Sequence, residues 1–188
     1  MKRILIVGAG GQIGSELTTY LRKIYGASNV VATDVRECGK LAEGGPFEVL
    51  NALDAKAMAS VVERYKIDAI FNLVALLSAV GEKNPQTAWN INIGALMNAL
   101  EVAREYGCAL FTPSSIGAFG PTSPKDKTPQ DTIMQPTTIY GVCKVTGELL
   151  GNYYFQRYGV DTRSVRFPGI ISNLSLIHIS EPTRLRCI

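Results

Sequence analysis

A glycine-rich segment follows an aliphatic run near the start of the chain, Ile4-Leu5-Ile6-Val7-Gly8-Ala9-Gly10-Gly11-Gln12-Ile13-Gly14. The aliphatic run predicts a buried strand over residues 3–7, and the apolar positions that recur every three or four residues from Ile13 onward predict a helix. Gly8, Gly11 and Gly14 lie between them at the spacing GxxGxxG. Such glycines allow a tight turn, close approach of a pyrophosphate and close packing of the helix on the strand. This context predicts a dinucleotide-binding loop; the alternative is a tight turn that binds nothing.

An acidic residue follows the second predicted strand. That strand covers residues 29–33 and is followed directly by Asp34, twenty residues after Gly14. Its carboxylate can accept hydrogen bonds from a ribose diol and would repel a 2′-phosphate. The sequence therefore favours NAD over NADP, although nearby Arg36 keeps NADP open. The plainer interpretation of Asp34 is a surface carboxylate.

The remaining chain alternates short aliphatic runs with amphipathic ones. Further strands are predicted at residues 47–50, 68–74, 109–112 and 161–166, and further helices from 54, at 85–106 and at 138–158. Strands without polar alternation, each followed by a helix, are typical of a parallel sheet covered on both faces. We therefore predict an α/β fold, a Rossmann-type doubly wound parallel sheet, with a long loop at 113–136.

Composition excludes several classes of function. The chain has 188 residues, 46% of them apolar, and a formal net charge of +3 from 19 basic and 16 acidic residues. No basic run resembles a nucleic-acid arm. Four scattered cysteines and the single histidine, His178, make a zinc site or a histidine-based triad a poor interpretation. No apolar stretch reaches the roughly 20 residues that cross a bilayer. We expect a cytoplasmic protein without a metal, a membrane span or a nucleic-acid partner.

The sequence Tyr140-Gly141-Val142-Cys143-Lys144 has the spacing YxxxK. Residues four apart share one face of a helix. An ammonium beside a phenol stabilises the phenolate and lowers its pKa, so Tyr140 could accept the proton of a substrate hydroxyl. The alternative is an aromatic anchor and a solvated lysine on one amphipathic helix.

The glycine loop, the acid after the second strand, a serine-rich strand end and YxxxK together resemble the extended short-chain dehydrogenases, a superfamily that includes the UDP-galactose 4-epimerases. Four segments narrow the resemblance: ALLSAVGEKNP at 75–85, PSSIGAFGPTSP at 113–124, TIYGVCK at 138–144 and RFPGIIS at 166–172. They are similar to the short-chain-type L-threonine 3-dehydrogenases over residues 1–172, and the segment at 113–124 is the most specific.

The resemblance implies NAD-dependent oxidation of the β-hydroxyl of L-threonine to 2-amino-3-oxobutanoate. Tyr140 would be the base, Lys144 would lower its pKa and hold the nicotinamide ribose, and Ser115 would bind the reacting oxygen. Ser78, Ser115 and Tyr140 would contact the small amino acid substrate. The implied cofactor contacts are Gly8, Gly11, Gln12, Ile13, Gly14, Asp34, Leu53, Asp54, Leu73, Ala75, Tyr140, Lys144 and Ile170.

Several of these residues also have plainer interpretations. Ser115 could satisfy a backbone group at a strand end, Ser78 could be an ordinary loop residue, and Asp54 could be a helix cap. Asn92 matches an asparagine of the family's central helix, which implies a structural role. We also consider two other functions for the whole chain: a nucleotide-sugar epimerase or dehydratase, and a non-catalytic NAD-binding protein.

The resemblance stops at residue 172. Residues 173–188 do not continue the family pattern. We therefore expect an NAD-binding domain over 1–172, an aberrant tail over 173–188 and a fold truncated before the C-terminal substrate region. Catalysis needs a positioned substrate and exclusion of water, so we expect this polypeptide to bind NAD weakly at best and the full-length parent to be the active enzyme. The resemblance also implies that a homodimer could form through the YxxxK helix.

Overall fold

The computed structural model describes residues 3–170. The strands are β1 (Ile4–Val7), β2 (Val30–Asp34), β3 (Phe47–Val49), β4 (Ala69–Asn72), β5 (Ala109–Phe111), β6 (Ser114–Ser115), β7 (Thr162–Arg163) and β8 (Arg166–Phe167). The helices are α1 (Gln12–Tyr25), α2 (Gly39–Glu43), α3 (Ala55–Tyr65), α4 (Ser78–Gly81), α5 (Pro85–Tyr106) and α6 (Ile139–Tyr158). In this part of the chain, no helix is both long enough and apolar enough to span a membrane.

Six strands form one sheet in the order β3-β2-β1-β4-β5-β7, and every neighbouring pair is parallel. Ile4 of β1 lies opposite Val30 of β2 on one side and Ala69 of β4 on the other. This confirms the predicted α/β doubly wound fold. The strand order reverses beside β1, and in such sheets the carboxyl ends of the strands at this point form the ligand crevice.

The core divides into two layers because successive residues of a strand point to opposite faces. Leu5 packs with Met58 and Leu100, on the face covered by α3 and α5. Ile6 packs with Leu21 on the other face, which α1 covers. The aliphatic run in β1 is therefore continuous because both faces of the strand are buried.

A second, two-stranded sheet joins β6 to β8 in parallel, with Ser114 opposite Arg166 and Ser115 opposite Phe167. The sequence predicted a loop at 113–136 and a single strand at 161–166. The structure divides that strand into β7, which pairs with β5, and β8, which pairs with β6. The small sheet holds the residues just after β5 in an extended conformation, and Ser115 is one of them.

Apolar residues that recur along α6 are exposed. Val142 is 39% exposed, Leu149 60% and Tyr153 51%. The buried face instead carries Gly141 and Gly147. A Cβ atom added to Gly147 would lie 3.2 Å from a methyl of Leu96 in α5, so small residues let this helix pack closely. Val142, Leu149 and Tyr153 therefore form an exposed apolar stripe on α6 that another protein surface could cover.

Candidate active site

The glycine loop connects β1 to α1 with the geometry of an anion site. Gly8 has φ +86°, and its N–H donates to the Thr33 carbonyl at 2.9 Å. A Cβ atom added to Gly14 would lie 2.7 Å from Ala9 Cα and would overlap the Gly8 carbonyl oxygen, so glycine is required there. No side chain caps α1 at Gly11. Backbone N–H groups of the first helical turn are therefore available to an anion.

Those first-turn groups belong to predicted cofactor residues. Gln12 and Ile13 begin α1, and Gly14 follows. Gly11 precedes the helix, and the added Cβ there meets only the Gly8 carbonyl oxygen, at 3.5 Å. The structure therefore places Gly8, Gly11 and Gly14 in one turn, and a pyrophosphate could approach its backbone closely.

Asp34 contacts this loop directly. Its Oδ2 accepts the Gly10 N–H at 2.8 Å, and its Oδ1 accepts the Arg36 N–H at 3.4 Å. A Cβ atom on Gly10 would lie 2.9 Å from Asp34 Oδ2 and 2.8 Å from Cys38 Sγ. The spacing GxxGxxG does not include Gly10, so the sequence analysis missed this residue. Its position inside a run of glycines was the available signal.

The predicted contacts beyond the loop divide into two groups. Leu73 follows β4, and its N–H donates to the Val7 carbonyl at 2.9 Å, which places it beside the loop. Ala75 lies two residues further on and is half-buried. Asp54 instead caps α3, because its Oδ1 accepts the Ala57 N–H at 2.9 Å. The neighbouring Leu53 is exposed.

Ile170 is also exposed and follows β8 at the end of the described part. Residues 173–188, predicted to be an aberrant tail, lie outside the described residues.

The segment that carries Ser78 is tied to two helices. Asn92 of α5 accepts the Leu76 N–H at 2.6 Å and donates to the Leu76 carbonyl at 3.1 Å, which is a structural role. Ser78 is the first residue of α4 and is half-buried. At the other end of α4, Glu82 Oε1 accepts the Ile139 N–H at 2.8 Å. Ser78 therefore lies in a segment that is fixed to the start of α6.

The three predicted catalytic residues come together between β6 and α6. Ser115 Oγ accepts the Gly117 N–H at 3.1 Å, and the Ser115 hydroxyl is near enough to the Tyr140 phenol to lower the pKa of that phenol. Lys144 Nζ lies 5.3 Å from the centre of the Tyr140 ring. It donates to the Pro113 carbonyl at 2.7 Å. A phenol, a hydroxyl donor and an ammonium thus share one half-buried site.

Burial dominates the electrostatics of Tyr140. It raises the pKa of Tyr140 above its ordinary value, and the nearby Ser115 hydroxyl opposes that rise only in part. The lowering of this pKa by Lys144 stays a prediction. The ammonium of Lys144 lies over the ring and donates to Pro113, and burial lowers its own pKa to about 8. A smaller charged fraction stabilises a phenolate less.

A buried ion pair beside the site was not predicted. Glu148 accepts two hydrogen bonds from Arg166, at 2.9 and 2.7 Å, and one from the Ser114 hydroxyl at 2.6 Å. Burial alone would raise the pKa of Glu148, but the hydrogen bonds from Arg166 and Ser114 hold it below its ordinary value. The only signal in the sequence was that Glu148 follows Lys144 by four residues.

The chain is similar to known proteins over most of its length. The sequence pattern of the NAD dependent epimerase/dehydratase family matches residues 4–181. An uncharacterized epimerase/dehydratase from Staphylococcus saprophyticus is 58% identical over 184 residues, which are 97% of this chain and 56% of that protein. A second, from Staphylococcus haemolyticus, has the same identity and coverage. The chain spans about half the length of the curated relatives it matches.

The chain is also similar to solved structures. The L-threonine dehydrogenase of Clostridium difficile is 53% identical with a TM-score of 0.89, covering 92% of this chain and 55% of that one. The holo form of the GalE-like L-threonine dehydrogenase of Cupriavidus necator is 52% identical with a TM-score of 0.88, covering 91% and 56%. A UDP-glucose 4-epimerase of Brucella ovis in complex with NAD, 22% identical with a TM-score of 0.79, covering 88% and 51%, shares the fold.

The family match runs past residue 172, and the domain boundary predicted there stays a prediction, because residues 171–188 lie outside the described part. The match nevertheless includes the glycine loop, Asp34, Ser115, Tyr140 and Lys144. With this coverage and a parallel sheet that reverses its order beside β1, the chain belongs to the NAD dependent epimerase/dehydratase family.

Proposed function

We propose that this chain forms the NAD-binding and proton-transfer part of an L-threonine 3-dehydrogenase. The observation that carries the proposal is the site in which Ser115, Tyr140 and Lys144 meet on one face of α6. Similarity to two L-threonine dehydrogenases, at 53% and 52% identity, supports this choice of substrate. The product would be 2-amino-3-oxobutanoate, formed by oxidation of the β-hydroxyl.

The glycine loop and Asp34 fit NAD. The first turn of α1 has no side-chain cap, so it could bind the pyrophosphate. The Asp34 carboxylate is held beside the loop by Gly10 and could accept hydrogen bonds from a ribose diol. The same negative charge would repel the 2′-phosphate of NADP. These residues therefore support NAD as the cofactor.

Bound NAD would supply the hydride acceptor of the reaction. Tyr140 would take the proton of the substrate β-hydroxyl, and the Ser115 hydroxyl would donate a hydrogen bond to the reacting oxygen. Lys144, fixed by the Pro113 carbonyl, would add positive charge beside the phenol and hold a ribose hydroxyl. Ser78, in the segment joined to α6 through Glu82, would contact the amino acid.

Turnover is proposed for a protein of the relatives' length. The chain covers 55% of the Clostridium difficile enzyme, so the relative has further residues that could position the substrate and exclude water. For the 188-residue polypeptide we expect NAD binding without threonine oxidation. No residue contact in residues 3–170 favours a nucleotide sugar over threonine, and the epimerase of Brucella ovis supports the fold alone.

The direct test uses a protein of the relatives' length that carries residues 1–170 unchanged. We expect it to form NADH from NAD and L-threonine. Tyr140→Phe should lower the rate at least about a hundredfold, because it removes the general base. Tyr20→Phe, at an exposed tyrosine of α1 outside the proposed site, is the matched control and should keep the rate. Turnover of a UDP-sugar in place of threonine would favour the epimerase.

We also infer that the chain forms a homodimer in the cytoplasm. The exposed apolar stripe of α6, consisting of Val142, Leu149 and Tyr153, could pack against the same stripe of a second copy. Cys38 and Cys108 are free, which fits a reducing compartment. The mass of the protein in solution tests the dimer.

A further inference from the structure

Three consecutive residues after β5, at positions 113–115, lie against α6. The Pro113 carbonyl accepts from Lys144 at 2.7 Å, the Ser114 hydroxyl donates to Glu148 at 2.6 Å, and the Ser115 hydroxyl lies near the Tyr140 phenol. Two of these contacts involve catalytic residues. The third contact, between Ser114 and Glu148, involves no residue proposed to be catalytic. Ser114 is almost fully buried.

The helix presents its three partners in a single row. Tyr140, Lys144 and Glu148 follow one another at intervals of four residues, so they share one face of α6. The segment 113–115 lies along that face. Because Ser114 is bonded to Ser115, its hydrogen bond to Glu148 restricts how far Ser115 can move from Tyr140.

Arg166 keeps the Glu148 carboxylate in place. It donates to both carboxylate oxygens, and both side chains are only 15% exposed. A third group of Arg166, Nη1, donates to the Gln130 carbonyl at 2.9 Å. Arg166 also pairs with Ser114 across the small sheet. The ion pair therefore connects α6, both strands of the small sheet and the loop between β6 and α6.

We propose that Glu148, held by Arg166, is a positioning residue that fixes the strand carrying Ser115 against α6. This role rests on the proposed function, because it matters for catalysis only if Ser115 and Tyr140 act on a substrate. Glu148 is not proposed to contact substrate or cofactor. It acts through Ser114 on the position of Ser115 beside Tyr140.

The test measures the effect of the Ser115 hydroxyl on Tyr140 in the 188-residue chain. The ring signals of isotope-labelled tyrosines are followed by NMR through a pH titration, and Tyr140→Phe assigns the signal of Tyr140. In wild type, the Ser115 hydroxyl lowers the pKa of Tyr140. Ser114→Ala leaves the ion pair of Glu148 with Arg166 intact and removes the hydrogen bond from Ser114 to Glu148. We expect the pKa of Tyr140 to rise in this variant.

Ser123→Ala is the matched control. It also removes a buried serine hydroxyl, one that bonds the Ile133 carbonyl in the following loop. A general loss of stability would affect both variants, but only Ser114→Ala should move the pKa of Tyr140. Glu148→Gln, which keeps the shape but removes the charge paired with Arg166, should also raise it. If Glu148→Gln does not fold, Ser114→Ala decides alone.

An unchanged pKa of Tyr140 in a folded Ser114→Ala chain overturns the proposal. An equal rise in Ser123→Ala also overturns it, since the effect would then not depend on Glu148. The titration requires neither NAD nor threonine. Failure of the chain to bind NAD would contradict the proposed function alone. NAD binding, together with an unchanged pKa of Tyr140 in Ser114→Ala, would contradict the positioning role alone.

Discussion

The backbone N–H of Gly10 donates a 2.8 Å hydrogen bond to Oδ2 of Asp34, which attaches the acid at the end of β2 to the glycine loop. The strand that ends in Asp34 pairs with β1, so the two groups meet at the carboxyl edge of neighbouring strands. A carboxylate fixed in this way is pre-organised for a ribose, because its orientation is set before the cofactor arrives.

Gly10→Ala should lower NAD affinity by about tenfold or more, since roughly 1.4 kcal/mol of lost contact gives that factor. The added methyl would lie 2.9 Å from Asp34 Oδ2 and 2.8 Å from Cys38 Sγ, so the carboxylate must move. Calorimetric titration with NAD measures the change. Gly39→Ala is the control, because a Cβ there meets nothing within 4 Å. Equal losses in both variants would contradict this account of the loop.

The buried amine of Lys144 should give stability a specific pH dependence. Burial lowers its pKa to about 8 in the folded chain, from an ordinary value of 10.5. Between these two values the unfolded chain binds more protons, so rising pH favours the folded chain. Denaturant unfolding of wild type and Lys144→Met, repeated at several pH values, isolates this effect. The free energy of unfolding of wild type, minus that of Lys144→Met, should increase as the pH rises from 8 to 10.5.

Parallel curves for the two chains across that interval would show that Lys144 titrates at its ordinary value. The titration of Tyr140 affects stability in the opposite direction at higher pH, because burial raises its pKa. Most of the change expected from Lys144 falls below pH 10, where Tyr140 keeps its proton because its pKa is raised above the ordinary value of 10.

Two buried asparagines should respond differently to the same substitution. Asn92 makes two hydrogen bonds with the Leu76 backbone, so Asn92→Leu should cost about 1–3 kcal/mol of unfolding free energy by leaving those groups unpaired. Asn72 is 2% exposed, and its Oδ1 has no hydrogen-bond partner in the described part. Asn72→Leu should therefore cost less than Asn92→Leu. Thermal unfolding of both variants compares them, and the reverse order would show that Asn72 is fully paired.

The dimer proposed through α6 depends on its exposed stripe. Leu149→Glu should produce a monomer, because it places a charge where two apolar faces would meet. Ile24→Glu, at an exposed apolar residue of α1, should leave the dimer intact. Sedimentation of the three chains gives their masses. A wild-type monomer, or a Leu149→Glu dimer, would rule out this interface.

The local features of the fold were predictable, because they depend on residues close together in the chain. The aliphatic run of β1, the turn at Gly8 and the ends of α5 and α6 agree with the sequence analysis. The fold class follows from them, since strands that are buried on both faces and joined by helices form parallel sheets.

The contacts that set the chemistry were less predictable, because they join residues far apart. Ser114 and Glu148 are separated by 34 positions and Gly10 and Asp34 by 24, and no spacing rule connects them. The exposure of the apolar residues of α6 was not predictable for a related reason. Apolar periodicity shows which residues could be buried, but close packing through Gly147 turns the other face inward. The raised pKa of Tyr140 likewise depends on burial that a sequence does not show.

Titration of the 188-residue chain with NAD and with NADP, in wild type and in Asp34→Ser, tests whether the glycine loop and Asp34 form an NAD site. We expect wild type to bind NAD at least about tenfold more tightly than NADP, a difference of roughly 1.4 kcal/mol. Asp34→Ser should reduce or abolish that preference, because it removes the carboxylate that we propose to accept the ribose hydrogen bonds and to repel the 2′-phosphate. Equal affinity of wild type for both dinucleotides, or no binding of either, would contradict the account.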